Sequence, residues 1–294
     1  MIVFLIAEGH GYTLTDVIAE AGATRIRTMS YGELFASPEL PRATYVFTDL
    51  DRLPPAEIRR AARSYRGLRD QGVRVLNDPA RIPSRFGLLR HLALTGRNDF
   101  NAYRLEEGVI PARWPVFLRA EGDHDAPLSD LLHDWDAVRR AASAAIEAGH
   151  PLPALLIVEY AAEPALPGLF RKLSLYRIGA SLFAATCVHD TQWLVKYGQT
   201  GIAPPELYAD ELRIIRDNPY REAVGAAFEL AGIEYGRADF GLVGGRVQLY
   251  EINTNPTIGL PTEHPSADRL ESMRVVNANL FAALRAIDTP DPPG

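Results

Sequence analysis

Near its C-terminal end the chain places acidic and amide side chains at spacings that suit a metal ion. Two strand-like segments carry them: EYGRADFGLV, residues 234–243, and RVQLYEIN, residues 246–253, joined by Gly244-Gly245. Two glycines between apolar runs signal a hairpin. Side chains alternate faces along a strand, so Arg237 and Asp239 share a face, and so do Glu251 and Asn253. Pairing around the turn brings the two sets onto adjacent strands at the end away from it. Two carboxylates and a carboxamide oxygen are hard donors of the kind magnesium prefers, with manganese as a substitute and phosphates filling the remaining positions. The guanidinium beside them can stabilise charge developing on a phosphoryl or acyl group. The competing reading is an ordinary hairpin with solvated acids. Against it, Glu251 sits in LYEIN, an apolar strand where an unpaired charge is costly, and NTNP follows at once as a polar loop able to hold a ligand.

The rest of the chain must position that hairpin. Residues 1–76 alternate apolar runs at 2–7, 24–31, 44–50 and 73–76 with helical patterns to about 21 and over 54–71. Strand–helix alternation of this kind predicts a parallel α/β sheet. Asn77-Asp78-Pro79 punctuates the chain and marks a domain boundary. A middle region follows, with helices at 83–95 and 134–148 and strands at 115–120 and 154–160. A hairpin over 172–188 turns at Gly179-Ala180. Helices at 208–217 and 220–231 precede the acidic hairpin, and a helix over 267–286 closes the chain. The expected division is 1–77, 78–158 and 159–294.

The stretch RADF followed by LYEINTNPTIG resembles the C-terminal signature of the ATP-grasp superfamily, which includes D-alanine–D-alanine ligase, glutathione synthetase and the ribosomal-protein glutamate ligases. The resemblance implies an ATP-grasp fold, α/β and α+β, with a small N-terminal α/β domain. It implies that Asp239, Glu251 and Asn253 bind magnesium bridging the phosphates of ATP. It makes Arg237 the residue that stabilises the transferring phosphoryl group or tetrahedral intermediate. Upstream, ALLIVEYAAE is similar to the segment that holds adenine, with Glu159 accepting from the amino group and the Tyr160–Ala161 backbone supplying further contacts. LFRKLSLYRIG is similar to a stretch that approaches the phosphates, which points to Lys172 and Arg177, with Lys196 in WLVKYG as a third. Two lysines usual in the family are replaced by Arg85 and Arg119, since the chain has only Lys172 and Lys196. Arginine and lysine are not interchangeable, so the phosphate clamp differs from the usual one. The implied activity is ATP-dependent ligation of a small-molecule or peptide carboxylate to an amine. A kinase or phosphotransferase on the same fold, and an ATP-binding protein without ligase activity, are the rivals.

Composition sets limits. The chain has 294 residues, 47% hydrophobic, with a net charge of −6, which argues against a nucleic-acid or membrane-surface partner. Cys187 is the single cysteine, so no intrachain disulfide forms. No run approaches the roughly 20 apolar residues of a membrane span, and a cytoplasmic enzyme is expected. Three other features weigh less. Asp49-Leu50-Asp51 follows an apolar strand, but a D-x-D is common by chance and helix capping explains it. Gly9-His10-Gly11 is no dinucleotide fingerprint, although it can line a pocket at the end of the first strand. Asp239-Phe240-Gly241 mimics a kinase metal motif without the accompanying kinase signatures. The seven histidines lack zinc spacing; His189 and His264 lie nearest the hairpin in sequence.

Overall fold

The computed structural model describes residues 1–22, 24–122 and 126–288. The N-terminal part contains β1 (Ile2–Ile6), α1 (Thr15–Ala21), β2 (Ile26–Ser30), α2 (Tyr31–Ala36), β3 (Thr44–Phe47), α3 (Pro55–Asp70) and β4 (Val75–Leu76). Its four strands run parallel in the order β2-β1-β3-β4. Every residue of β1 is buried, as expected of a parallel sheet covered on both faces. The segment expected to be one strand over 24–31 stops at Ser30 because Ser30 starts α2. Its hydroxyl accepts from the Glu33 N–H, and the Glu33 carboxylate accepts from the Ser30 N–H.

The middle part contains α4 (Arg85–Leu94), β5 (Ala102–Arg104), β6 (Val116–Ala120), α5 (Trp135–Glu147) and β7 (Leu155–Glu159). The strands form an antiparallel sheet, β5-β7-β6. Along β6 the buried Val116 and Leu118 pack with Val138, Ala142 and Ala145 of α5. Phe117 and Arg119, on the alternate positions, face the other way and line a cavity. Asp123, His124 and Asp125, in the loop that follows Arg119, lie outside the described residues.

The last part contains β8 (Pro164–Leu166), β9 (Leu169–Ile178), β10 (Ser181–Ala184), β11 (Val188–Asp190), α6 (Pro205–Asp217), α7 (Arg221–Ala231), β12 (Tyr235–Val243), β13 (Arg246–Asn253) and α8 (Ala267–Ile287). Its main path is β10-β9-β12-β13, with β8 and β11 pairing the outer half of β9. The hairpin expected over 172–188 therefore turns at Gly179-Ala180, and its first strand is longer than expected. Among the described residues no helix is long and apolar enough to cross a membrane.

The sheet of residues 1–76 does not keep a separate core on the face toward the last part. Phe4, Val46 and Leu76 belong to one apolar cluster with Leu173, Tyr235 and Leu280. The Phe4 and Tyr235 rings lie 5.0 Å apart. Asn77, which reads as loop punctuation, is fully buried at φ +66° and joins the two parts. Its Nδ2 donates to the carbonyls of Phe47 at 3.0 Å and Tyr235 at 2.8 Å. Its Oδ1 accepts from the N–H groups of Glu234 at 2.8 Å and Tyr235 at 2.9 Å. All its hydrogen-bonding capacity is used, and asparagine tolerates the left-handed backbone. Asn77→Ala strands four buried partners and adds backbone strain, so urea unfolding should register a loss of about 3 kcal/mol. A loss below about 1 kcal/mol would show that Asn77 does not join the two parts.

Candidate functional site

The acidic hairpin meets on one face because of an irregularity. A continuous register around Gly244-Gly245, from the pair Val243–Arg246 onward, would place Asp239 opposite Tyr250. Glu251 and Asn253 would then point to the other face. The observed register shifts between Asp239 and Phe240: Phe240 pairs with Leu249, whereas Asp239 pairs with Glu251 and Arg237 with Asn253. Tyr250 is the extra residue of a β-bulge. Its hydroxyl donates to the Ala161 carbonyl at 2.9 Å, and its ring passes so close to Gly241 that a Cβ there would meet the hydroxyl at 2.1 Å. The glycine of Asp239-Phe240-Gly241 is thus explained by Tyr250, not by a kinase-like site.

On the other side of β12, β9 sets Ser174 opposite Asp239 and Tyr176 opposite Arg237. Asp239 is almost fully buried and heavily engaged. Arg237 donates to it through Nε at 2.8 Å and Nη2 at 3.2 Å, the Ser174 hydroxyl donates at 2.9 Å, and Lys172 Nζ lies 3.1 Å away. Burial acts to raise its pKa, but Arg237, Lys172 and the hydrogen bonds win and hold it at about 2. Glu251 pairs with Arg85 Nη2 at 2.5 Å. Burial again acts upward, and the charge of Arg85, helped by Arg119 and Lys172 against Asp239, holds the carboxyl below its ordinary value. Asn253 Oδ1 accepts from the Asn255 N–H at 2.8 Å.

These residues line one end of a cavity of about 610 Å³. Arg119, Lys172 and Lys196 line it too, and Lys172 Nζ donates to the Lys196 carbonyl at 3.2 Å. Arg177 does not. It lies on the opposite face of β9 from Lys172, Ser174 and Tyr176, and pairs with Glu229 of α7 at 2.7 Å. Glu159 reaches the wall, but its carboxylate is spent on the chain. It accepts from Asn101 N–H at 2.9 Å, Arg113 N–H at 2.9 Å and the Tyr103 hydroxyl at 3.0 Å. The Tyr160 N–H donates to the Pro115 carbonyl at 3.0 Å. The expected adenine contacts of Glu159 and of the Tyr160 N–H are therefore already taken by protein groups, whereas Ala161 stays in the wall. Phe117, Tyr160 and Trp193 group there, with ring centroids 5.1 and 5.6 Å from Trp193.

Sequence reasoning set Asp49 aside as a cap. Its side chain caps nothing. Oδ2 accepts from the Ala7 N–H at 3.1 Å and from Asn255 Nδ2 at 2.8 Å, and lies 3.6 Å from His10 Nδ1. Burial pushes the Asp49 carboxyl up, against the pull of these donors and Arg52. His10, Asp49, Arg52 and Asn255 all line the cavity. In the sequence, the position of His10, Asp49 and Arg52 just past the carboxyl ends of β1 and β3, and that of Asn255 in the NTNP loop after β13, hint at this.

Among the described residues no three His, Cys, Asp or Glu side chains gather as a metal site. Asp239, Glu251 and Asn253 fit magnesium in donor type, two carboxylates and an amide oxygen, with phosphates needed to complete the shell. Asp239 and Glu251 are direct cross-strand neighbours.

No protein-family model matches the chain, and no curated protein matches its sequence. Solved structures do match. A D-alanine–D-alanine ligase from Coxiella burnetii aligns at TM-score 0.56 and 11% identity, covering 98% of this chain and 94% of the other. The Bacillus anthracis ligase complexed with ATP aligns at 0.52 and 11%, covering 97% and 98%. A RimK domain ATP-grasp protein from Sphaerobacter thermophilus aligns at 0.51 and 15%, covering 98% and 99%. The chain has the ATP-grasp fold.

Two outcomes follow from this geometry. Gly241→Ala should destabilise the chain by about 1–3 kcal/mol, because Tyr250 must leave its place. In a Tyr250→Ala background the same change should be nearly neutral, and equal costs in both backgrounds, read by urea unfolding, would refute the steric account. Outside the cavity wall, on β11, His189 is held neutral: burial first, then Arg171 and Arg269, lower it from 6.5 to about 4. As pH falls the unfolded chain takes this proton first, so the contribution is complete above 6.5 and is lost toward 4. His189→Gln should flatten the fall in urea midpoint over that window; an unchanged slope would count against it.

Proposed function

We propose that this chain binds ATP with magnesium and joins a small-molecule or peptide carboxylate to an amine through an acyl phosphate. The observation that carries the reading is the charge at one end of the cavity. Asp239 and Glu251 line it with Arg119, Lys172 and Arg237, and Arg85, which is not part of the wall, pairs with Glu251, an excess of positive charge suited to a polyphosphate. The fold supports it, since three structures that share it are ligases or an ATP-grasp protein, one of them complexed with ATP.

In this reading the chain divides into lobes 1–77, 78–158 and 159–294, with the nucleotide between the last two. Arg85, Arg119, Lys172 and Lys196 hold the phosphates. The aromatic group of Phe117, Tyr160 and Trp193 offers the purine an apolar end beside Ala161. Asp239, Glu251 and Asn253 would hold magnesium, which supplies charge neutralisation at the phosphates. Arg237 is kept charged and in place by Asp239, and Tyr176 hydrogen-bonds the same guanidinium. It meets the charge that develops as the acyl phosphate forms and collapses.

The test compares Arg237→Ala with Glu251→Ala. ATP–magnesium affinity is measured by calorimetry, and ADP release is followed with amino-acid and dipeptide mixtures. A group that meets charge only as it develops should cost about a hundredfold in turnover and little in affinity when removed. Glu251→Ala should instead weaken ATP–magnesium binding. Equal affinity losses in the two variants would refute this division of roles. Failure of any mixture to release ADP from the wild-type chain would overturn the ligase reading.

A further inference from the structure

We propose that His10, oriented by Asp49, takes the proton from the acceptor amine, and that the acceptor is a primary amine bearing an apolar side chain. The assignment rests on the ligase reading.

Asp49 follows β3 at φ +52°, a left-handed conformation unusual for a residue with a side chain. That backbone lets the carboxylate reach back to the Ala7 N–H and across to Asn255 and His10. The His10 turn is itself fixed, with its N–H on the Ala7 carbonyl at 3.1 Å and its carbonyl accepting from the Thr13 hydroxyl at 3.0 Å. His10 Nδ1 is buried and has no hydrogen-bond partner, and Asp49 Oδ2 stands 3.6 Å away. Such a pair tightens to a hydrogen bond when a substrate fills the site. Nε2, across the ring from Asp49, is then the nitrogen available to the cavity that His10 lines.

A chain of hydrogen bonds ties this pair to the metal hairpin. Asn255 donates its side-chain N–H to Asp49 and its backbone N–H to Asn253 Oδ1, and its own Oδ1 accepts from Thr13 at 2.8 Å. His10 therefore stands next to the sector where an acyl phosphate would form. The other titratable groups of the wall are poor proton acceptors. Asp239 is engaged by Lys172 and Arg237 and Glu251 by Arg85, and the Glu159 carboxylate is occupied by three donors. Glu163 accepts from the Gly244 N–H at 2.9 Å, at the turn end of the hairpin away from Asn253. Among the described residues His10 is the one histidine of the wall, and a neutral imidazole has one ring nitrogen able to accept a proton.

The step balances as follows. The amine arrives as an ammonium and gives one proton to His10 Nε2. Its lone pair attacks the acyl carbon and the bond from that carbon to the phosphate oxygen breaks; the departing phosphate takes the second N–H proton and leaves as hydrogen phosphate, so the amide nitrogen keeps one hydrogen. Beside His10, the Ile258 N–H donates to the Thr13 carbonyl at 2.9 Å, which seats the Ile258 loop on the same turn. Ile258, Val276 and Leu280 line the cavity and share an apolar cluster with Leu14 of that turn, and Met273 and Asn277 line the cavity as well. A charged acceptor side chain would lose its water against this wall, whereas an aliphatic one gains by burial.

The experiment uses the full chain with ATP, magnesium and the carboxylate mixture. The nucleophile is hydroxylamine, leucine, glycine or glutamate, and products are quantified by mass spectrometry. Hydroxylamine is unprotonated at neutral pH and captures an acyl phosphate without a base. The expected result is that leucine is ligated faster than glycine and glutamate. The ratio of leucine product to hydroxamate should fall about a hundredfold in His10→Ala and in His10→Gln, and about tenfold in Asp49→Asn. Because the ratio is internal to each variant, lost folding does not mimic the effect. An unchanged ratio in the His10 variants overturns the base, and faster ligation of glutamate overturns the apolar acceptor. No hydroxamate from the wild-type chain with any carboxylate overturns the ligase reading, and this assignment with it.

Discussion

In β13 one residue, Tyr250, has no partner of its own on β12, and this decides which side chains can meet. A regular hairpin would send Glu251 and Asn253 to the face opposite Asp239. The bulge turns both toward Asp239, and the rest of the site is arranged around that face. Gly241 leaves room for the displaced ring, and Ala161 accepts its hydroxyl. Bulges recur beside functional sites because they redirect a side chain without ending the sheet. Here the redirection creates a problem as well, since a buried carboxylate, Asp239, and a partly buried one, Glu251, now stand side by side.

That problem is met by cations from three directions. Lys172 comes from β9, Arg237 from β12 and Arg85 from the start of α4. A buried ion cluster of this kind is weak evidence for stability, because desolvation offsets much of the attraction. It is better understood as poise. Asp239 is ionised and fully hydrogen-bonded, and a phosphate could replace it as the partner of Lys172 or Arg237 at small electrostatic cost. The same exchange would free lone pairs on Asp239 for a metal ion. Anion and cation would then enter together, as a metal–nucleotide complex does.

The hairpin, its turn and its four polar residues were legible in the sequence because period-two alternation and Gly244-Gly245 are local signals. The bulge was not, since nothing in QLYEIN marks Tyr250 as the displaced residue; its cause lies in Gly241 and Ala161. Helices other than α2, which was not expected, were recovered to within a few residues, as α5 and α8 illustrate against the expected 134–148 and 267–286. Roles that depend on a distant partner were misread. Arg177 looked equivalent to Lys172, but strand parity sends it to Glu229. Glu159 looked free, but the segment from Asn101 to Arg113 folds over its carboxylate. Asp49 looked like a cap, and Asn77 like a linker, because their partners lie more than 150 residues away along the chain.

The distribution of apolar and polar contacts also indicates where the molecule can open. The N-terminal sheet shares an apolar core with β9, β12 and α8, so these parts should move as one. The sheet β5-β7-β6 keeps one cluster with α5 and shares a smaller one with the hairpin, in which Val243 and Tyr250 pack against Phe100, Ala102, Leu156 and Val158. Polar bonds add to that contact: Asn98 to Leu249, Arg246 to Asp99, and Glu163 to the Gly244 N–H. Phe117 and Tyr160 against Trp193 are further ring contacts across this seam. A small apolar cluster is exposed at lower cost than a large one, so the seam is the weaker boundary. It separates Arg119 from Lys172, Asp239 and Glu251, whereas Leu88 and Leu92 of α4 join the large core and keep Arg85 beside Glu251. Opening there would widen the gap between Arg119 and the hairpin. His10 and Asp49 lie on the hairpin's side of the seam, tied to Asn253 through Asn255.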